Sequence, residues 1–262
     1  MKTVREFSDA KTSGHKIAMV TAYDANSARL IAETVVDCVL VGDSVMMVVH
    51  GEDNTRGATP ELMAKHTKEV ARGGSGKFII ADMPYQSVQQ GTPFAFECAQ
   101  FLIEAGADAV KVEGVRGHED AIKHLVKSGI PVMGHLGLLP QSVQSPADYK
   151  VQAKTPADAQ ALLEDLATLE SCGVFSLVLE CIPAQLATEV SAAAKVPTIG
   201  IGAGAGCDGQ VLVWHDLLGL NPDFKARFVR HFAQEGDDPI KGLNDYASAV
   251  HSGDYPQPKE SF

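Results

Sequence analysis

Long apolar runs are missing from this chain of 262 residues, and none approaches the ~20 needed to span a bilayer. The N-terminal stretch, Met-Lys-Thr-Val-Arg-Glu-Phe-Ser-Asp, lacks the apolar core of a signal peptide. Cysteine is sparse. Cys38, Cys98, Cys172, Cys181 and Cys207 are odd in number and show no Cys-x-x-Cys spacing, which argues against a disulfide framework or a structural zinc site. A reduced, cytoplasmic setting is therefore expected. Positive charge is also in deficit, with 22 basic against 33 acidic residues and a net charge of −11. Nucleic acids and anionic membranes call for Lys/Arg clusters, so neither is an expected partner. There is no P-loop, repeat or low-complexity segment.

What the chain does have is a repeated alternation. Short apolar runs occupy 16–23, 38–43, 77–83, 109–113, 131–136, 176–180, 197–202 and 211–215. Amphipathic helical patterns lie between most of them, near 25–36, 59–72, 93–105, 117–128, 155–172 and 183–194. Thr59-Pro60 and Thr155-Pro156 place a hydroxyl cap before a proline at a helix start. Gly106, Gly129 and Gly173 stand where helices should stop. Strand and helix alternating eight times predict a (β/α)8 TIM barrel over residues 1–262, one domain with a polar C-terminal helix (239–251) and a surface arm. An open doubly wound sheet is the alternative, but the number of units and the near-continuous apolar strands favour closure.

Four of these runs carry an acid at or next to their C-terminal end, with Asp43 closing 38–43, Asp82 closing 78–82, Glu113 closing 109–113 and Glu180 closing 177–180. Parallel strands sharing a C-terminal rim would bring those carboxylates together, and convergent carboxylates call for a cation or a shared proton. Asp43, Asp82 and Glu113 offer only oxygen, which suits Mg2+. Lys111 lies two residues before Glu113 and shares its face. An internal Lys–Glu ion pair, or helix-cap and loop hydrogen bonds for single acids, are the plainer readings of each residue alone. His135 ends the fifth run as either a structural hydrogen-bonder or a site residue. The glycine-rich segment 200–206 could cradle a phosphate or let backbone approach closely at a crowded rim. Cys207 has no identifiable base beside it.

These segments resemble the ketopantoate hydroxymethyltransferase family. The resemblance is carried by Thr21-Ala22-Tyr23-Asp24, Val41-Gly42-Asp43-Ser44, Ala81-Asp82-Met83-Pro84, Val110-Lys111-Val112-Glu113-Gly114, Gly134-His135-Leu136-Gly137-Leu138 with Pro140-Gln141-Ser142, Leu179-Glu180-Cys181-Ile182-Pro183, Gly200-Ile201-Gly202-Ala203-Gly204, and Asp208-Gly209-Gln210-Val211-Leu212-Val213 with His215-Asp216. It implies a barrel of the phosphoenolpyruvate mutase/isocitrate lyase group. It implies Mg2+ held by Asp43, Asp82 and Glu113, and a 2-oxoacid contacted by Asp43, Ser44, Asp82, Lys111 and His135. It further implies Glu180 as general base, 5,10-methylenetetrahydrofolate as donor, a role in pantothenate synthesis, and a homo-oligomer, commonly a decamer. A Mg-dependent lyase or mutase of the same barrel group is the competing enzyme, and a non-catalytic anion-binding module the competing non-enzyme. The chain departs from the family pattern at Met46, which replaces a glycine, and at Arg56-Gly57 and Tyr85-Gln86. Those positions lie on two adjacent βα loops, where a barrel sets substrate choice. Met46 is accordingly expected to narrow the pocket.

Overall fold

The computed structural model describes residues 1–143, 148–222, 224–234 and 236–262. Eight parallel strands close in sequence order: β1 (Ile17–Thr21), β2 (Cys38–Val41), β3 (Phe78–Asp82), β4 (Ala109–Glu113), β5 (Val132–Gly137), β6 (Ser176–Glu180), β7 (Thr198–Ile201) and β8 (Gly209–Leu212). β8 pairs back to β1 through Ile17↔Gly209 and Met19↔Val211. No sheet edge is left open, so the doubly wound alternative falls.

The helices carry the expected caps. α1 (Val4–Ser13) precedes the barrel. α2 (Ala25–Ala32) and the short α3 (Val45–Val48) follow β1 and β2. α4 (Pro60–Gly73) starts where Thr59 accepts from Leu62 N, and α7 (Pro156–Cys172) where Thr155 accepts from Asp158 N. Those bonds satisfy donors that the first helical turn leaves free. α5 (Thr92–Glu104), α6 (Glu119–Lys127) and α8 (Ala184–Ala193) complete the middle units, with α9 (Trp214–Leu217) and α10 (Pro239–Ser252) after β8.

Alternation along each strand divides the core in two. Outward residues such as Val39, Ala81, Val110, Val112, Leu136 and Leu177 pack with the helices. Inward residues Met19, Leu40, Ile80, Ala109, Met133, Val178 and Ile199 fill the barrel. Its lower end is plugged by α1, a helix outside the expected strand–helix units. Phe7 is fully buried there, with its ring centroid 5.3 Å from Phe78 and 5.1 Å from Phe175 in edge-on contacts.

Two expectations need correction. The strand–helix alternation breaks between β7 and β8, where parallel neighbours are joined by residues 202–208 with no helix. The glycine run makes this possible by lying against α8. A Cβ on Gly204 would stand 2.5 Å from Ala184 Cβ, and one on Gly206 2.1 Å from Thr188 Oγ1. Gly204 and Gly206 thus serve the close backbone approach that was one of the two readings of this segment. Nor is the C-terminal arm free on the surface. Tyr255, Glu260 and Ser261 are buried, Arg230 pairs with Glu260 at 2.8 Å, and Phe262 O accepts from Ala184 N at the start of α8.

Gly206→Ala should therefore destabilise the protein by about 1–3 kcal/mol through overpacking. Urea denaturation measures this, and an unchanged midpoint would show that the loop does not press on α8.

Candidate active site at the upper rim of the barrel

The barrel interior changes character one step above its apolar layer. Side chains two residues apart share a face, so Asp82 stands above Ile80, Lys111 above Ala109, His135 above Met133 and Glu180 above Val178. Strand register then sets neighbours: Asp82 lies opposite Lys111, and Glu113 opposite His135. Asp43 and Ser44 come from the turn after β2. All of these residues line one cavity of about 830 Å3. The sequence-predicted set is thus assembled in one place.

Lys111 sits at its centre. Its Nζ is 3.0 Å from Asp82 Oδ1, 3.9 Å from Glu113 Oε1 and 3.3 Å from His135 Nδ1. The other face of the imidazole places Nε2 3.2 Å from Glu180 Oε2. Asp82 Oδ2 accepts from Asp43 N at 3.0 Å, which fixes the two aspartates relative to each other. Glu180 is followed by Cys181 at φ 48°, a left-handed conformation that costs a non-glycine residue of order 1 kcal/mol or more.

The charge balance is negative. Burial raises the pKa of Asp43 well above the ordinary carboxylate value, and Asp82 and Glu113 add to the rise. Burial also raises Asp82, against the opposing pull of Lys111. Glu113 goes the other way: burial is outweighed by His135, Lys111 and the Gln141 N–H, and its pKa falls. For His135, burial and Lys111 favour the neutral ring, but Glu113 and Glu180 outweigh them and the pKa rises. Lys111 is buried, yet its acidic neighbours keep it firmly charged.

A hard divalent cation fits this environment. The donors are buried oxygens, Asp43 is short of compensating positive charge, and Asp82 Oδ1 accepts no aligned hydrogen bond despite its closeness to Lys111. The three acids do not, however, form a tight chelating triad. Among the described residues, the only trio of His, Cys, Asp or Glu offering ligand atoms all within 4.8 Å of one another is His15, Asp37 and His251, elsewhere in the fold. Gln141 stands between two of the rim acids: its Nε2 donates to Asp43 Oδ2 at 2.7 Å and its N to Glu113 Oε2 at 3.0 Å.

The chain matches the family model described as ketopantoate hydroxymethyltransferase over residues 1–258. The chain belongs to the ketopantoate hydroxymethyltransferase family. A 3-methyl-2-oxobutanoate hydroxymethyltransferase of Bdellovibrio bacteriovorus is 46% identical over 263 residues, covering 100% of both chains. Solved structures sharing the fold include a putative phosphonomutase from Burkholderia cenocepacia, with TM-score 0.67 at 14% identity over 84% of this chain and 95% of that one. A phosphonopyruvate hydrolase in complex with oxalate and Mg2+ gives TM-score 0.62 at 10% identity, covering 81% of each chain. The fold is thus that of the phosphoenolpyruvate mutase/isocitrate lyase group.

Gln141 has no role in the sequence-based expectation, because a lone glutamine carries no periodic or spacing signal. The upper wall, where Tyr149, Leu220, Phe224, Phe228 and Phe262 line the cavity, is also absent from that expectation. Those residues come from loops and the C-terminal arm. Tyr23 OH, 2.8 Å from Ser44 Oγ, was likewise not singled out.

The loop departures behave differently from expectation. Met46 is buried in the core outside the cavity wall, while Met47 and Val48 reach the cavity. A Cβ on Gly57 would lie 2.9 Å from Met46 Cε, so the methionine fills the space that Gly57 leaves. Arg56 stacks on Tyr85 at 4.4 Å and donates to its hydroxyl at 2.7 Å. The departures pair with one another and leave the acids untouched. Met46→Ala should cost about 2–5 kcal/mol of stability without altering which 2-oxoacids bind. A changed binding profile in calorimetry would return Met46 to the pocket.

Proposed function

We propose that this protein transfers a hydroxymethyl group from 5,10-methylenetetrahydrofolate to 3-methyl-2-oxobutanoate, giving 2-dehydropantoate for pantothenate and coenzyme A synthesis. The observation that carries the proposal is the buried acidic cluster around Lys111, in a chain of this family. Asp43, Asp82 and Glu113 would hold Mg2+, directly or through water. Bound Mg2+ supplies Lewis-acid polarisation of the 2-oxo group, worth several kcal/mol of charge stabilisation. A phosphonopyruvate hydrolase that shares this fold was crystallised in complex with oxalate and Mg2+, and oxalate, like a 2-oxoacid, offers two vicinal oxygens to a cation.

The chain's own residues do the rest. Asp43 and Ser44 orient the substrate from the β2 turn, and Tyr23 holds the Ser44 hydroxyl in place. Lys111 offsets the excess charge that three carboxylates and an anionic substrate bring together. Glu180 would have no part in holding the ion, and it lines the same cavity with its side chain 15% exposed. It takes the proton from C3, and the resulting enolate forms a C–C bond to the methylene carbon. The carbon's two bonds to folate nitrogen break in the course of the transfer, water supplies the hydroxyl oxygen, and tetrahydrofolate leaves. His135, between Glu180 and Lys111, hydrogen-bonds the new hydroxyl. The cavity is several times larger than a five-carbon acid, and its aromatic upper wall suits a flat pterin. The same reading carries the cytoplasmic homo-oligomer, commonly a decamer, that the family resemblance implies.

Turnover of a panel of 2-oxoacids with and without methylenetetrahydrofolate tests the assignment. Product should form only with donor and Mg2+, and Asp82→Asn or Glu113→Gln should weaken Mg2+ binding and activity together. Donor-independent consumption of the 2-oxoacid would favour the lyase or mutase reading, and full activity in excess chelator would overturn the metal's role.

A further inference from the structure

At the opposite end of the barrel, three residues distant in sequence meet. His15 lies between α1 and β1, Asp37 immediately precedes β2, and His251 is in the last turn of α10. Their ligand atoms all fall within 4.8 Å of one another. We propose that His15, Asp37 and His251 bind a borderline divalent transition-metal ion of the Zn2+ type, at a site separate from the catalytic rim.

Both imidazoles turn the same nitrogen toward one carboxylate. His251 Nε2 is 2.7 Å from Asp37 Oδ2, and His15 Nε2 is 3.8 Å from Asp37 Oδ1. The two rings lie 4.8 Å apart at 39°. A helix anchor would need only the His251–Asp37 bond. His15 is too far for a hydrogen bond, yet it faces the same carboxylate beside the other ring. Two imidazole nitrogens and one carboxylate oxygen are a donor set that zinc-type ions take with water in the remaining position. Mg2+, which prefers oxygen, competes poorly for it.

The surroundings hold the carboxylate and leave the approach open. Ala18 N donates to Asp37 Oδ2 at 2.8 Å, which fixes the orientation of Asp37. Lys77 is a nearby opposing charge, and its ammonium is turned to Thr34 O at 2.8 Å. The His15 side chain is 48% exposed, so it can close the last ångström toward Zn–N distances of about 2.0–2.1 Å. Such an ion would tie the entries of β1 and β2 to the last helix.

Zn2+ titration by calorimetry into chelator-treated protein, carried out with Mg2+ saturating, tests the proposal. One Zn2+ per chain should bind, and the melting temperature should rise by about 5 °C at a hundredfold excess over Kd. His15→Ala and His251→Ala should each weaken binding by about tenfold or more. Asp82→Asn should keep this binding, and His15→Ala should keep normal hydroxymethyl transfer. His15 is half-exposed, so His15→Ala decides the matter if His251→Ala fails to fold. Absence of Zn2+ binding in the wild type, or unchanged binding in His15→Ala, would overturn the proposal.

Discussion

The buried ammonium of Lys111, held 3.0 Å from Asp82 and 3.9 Å from Glu113, is the interaction on which the upper half of the barrel depends. Each of these groups alone would be costly to bury. Removing one partner of such a pair typically costs 3–5 kcal/mol, because the other charge is left uncompensated. Lys111 does not balance the site by itself. Asp43, Asp82, Glu113 and Glu180 bring four carboxylates to one cavity, against Lys111 and a His135 whose pKa is raised. The excess of negative charge is felt most at Asp43, where burial and the acidic neighbours disfavour the ionised form and push the pKa up. A divalent cation answers that deficit, which is why the proposed chemistry starts from Mg2+.

The remainder of the barrel supports that charged layer. Phe7, Phe78 and Phe175 plug the bottom, and Ile80, Ala109, Met133 and Val178 form an apolar floor beneath Asp82, Lys111, His135 and Glu180. Water is thereby kept from below, and the charged groups open only toward the upper cavity. In the proposed reaction this lets Glu180 act where the substrate enters. Gln141 completes the layer by tying Asp43 to Glu113, so the two acids keep their spacing.

The strands and their acids were legible because period-two alternation and a terminal carboxylate are local features. β4 and β6 match the expected runs residue for residue apart from the turn that follows. Caps at Thr59 and Thr155 were legible for the same reason. What the sequence hid was non-local. The missing seventh helix is a matter of how closely Gly204 and Gly206 approach α8. Met46 fills the space beside Gly57, eleven residues on, and Arg56 stacks on Tyr85, twenty-nine residues on; neither pairing has a local signal. α1 hid in a polar N-terminus because only Phe7 and Ala10 are buried on it. Phe262 reaches the cavity from the end of an arm whose composition reads as solvent-exposed.

Proton removal at C3 is the step that joins the charge layer to function, and it can be isolated from hydroxymethyl transfer. The measurement is solvent deuterium exchange into 3-methyl-2-oxobutanoate, followed by proton NMR in the presence of Mg2+, with methylenetetrahydrofolate omitted or replaced by unreactive tetrahydrofolate. Exchange should proceed in the wild type and slow by ~10²–10⁴ in Glu180→Gln, with substrate binding retained. Exchange at the wild-type rate in Glu180→Gln would contradict proton removal by Glu180.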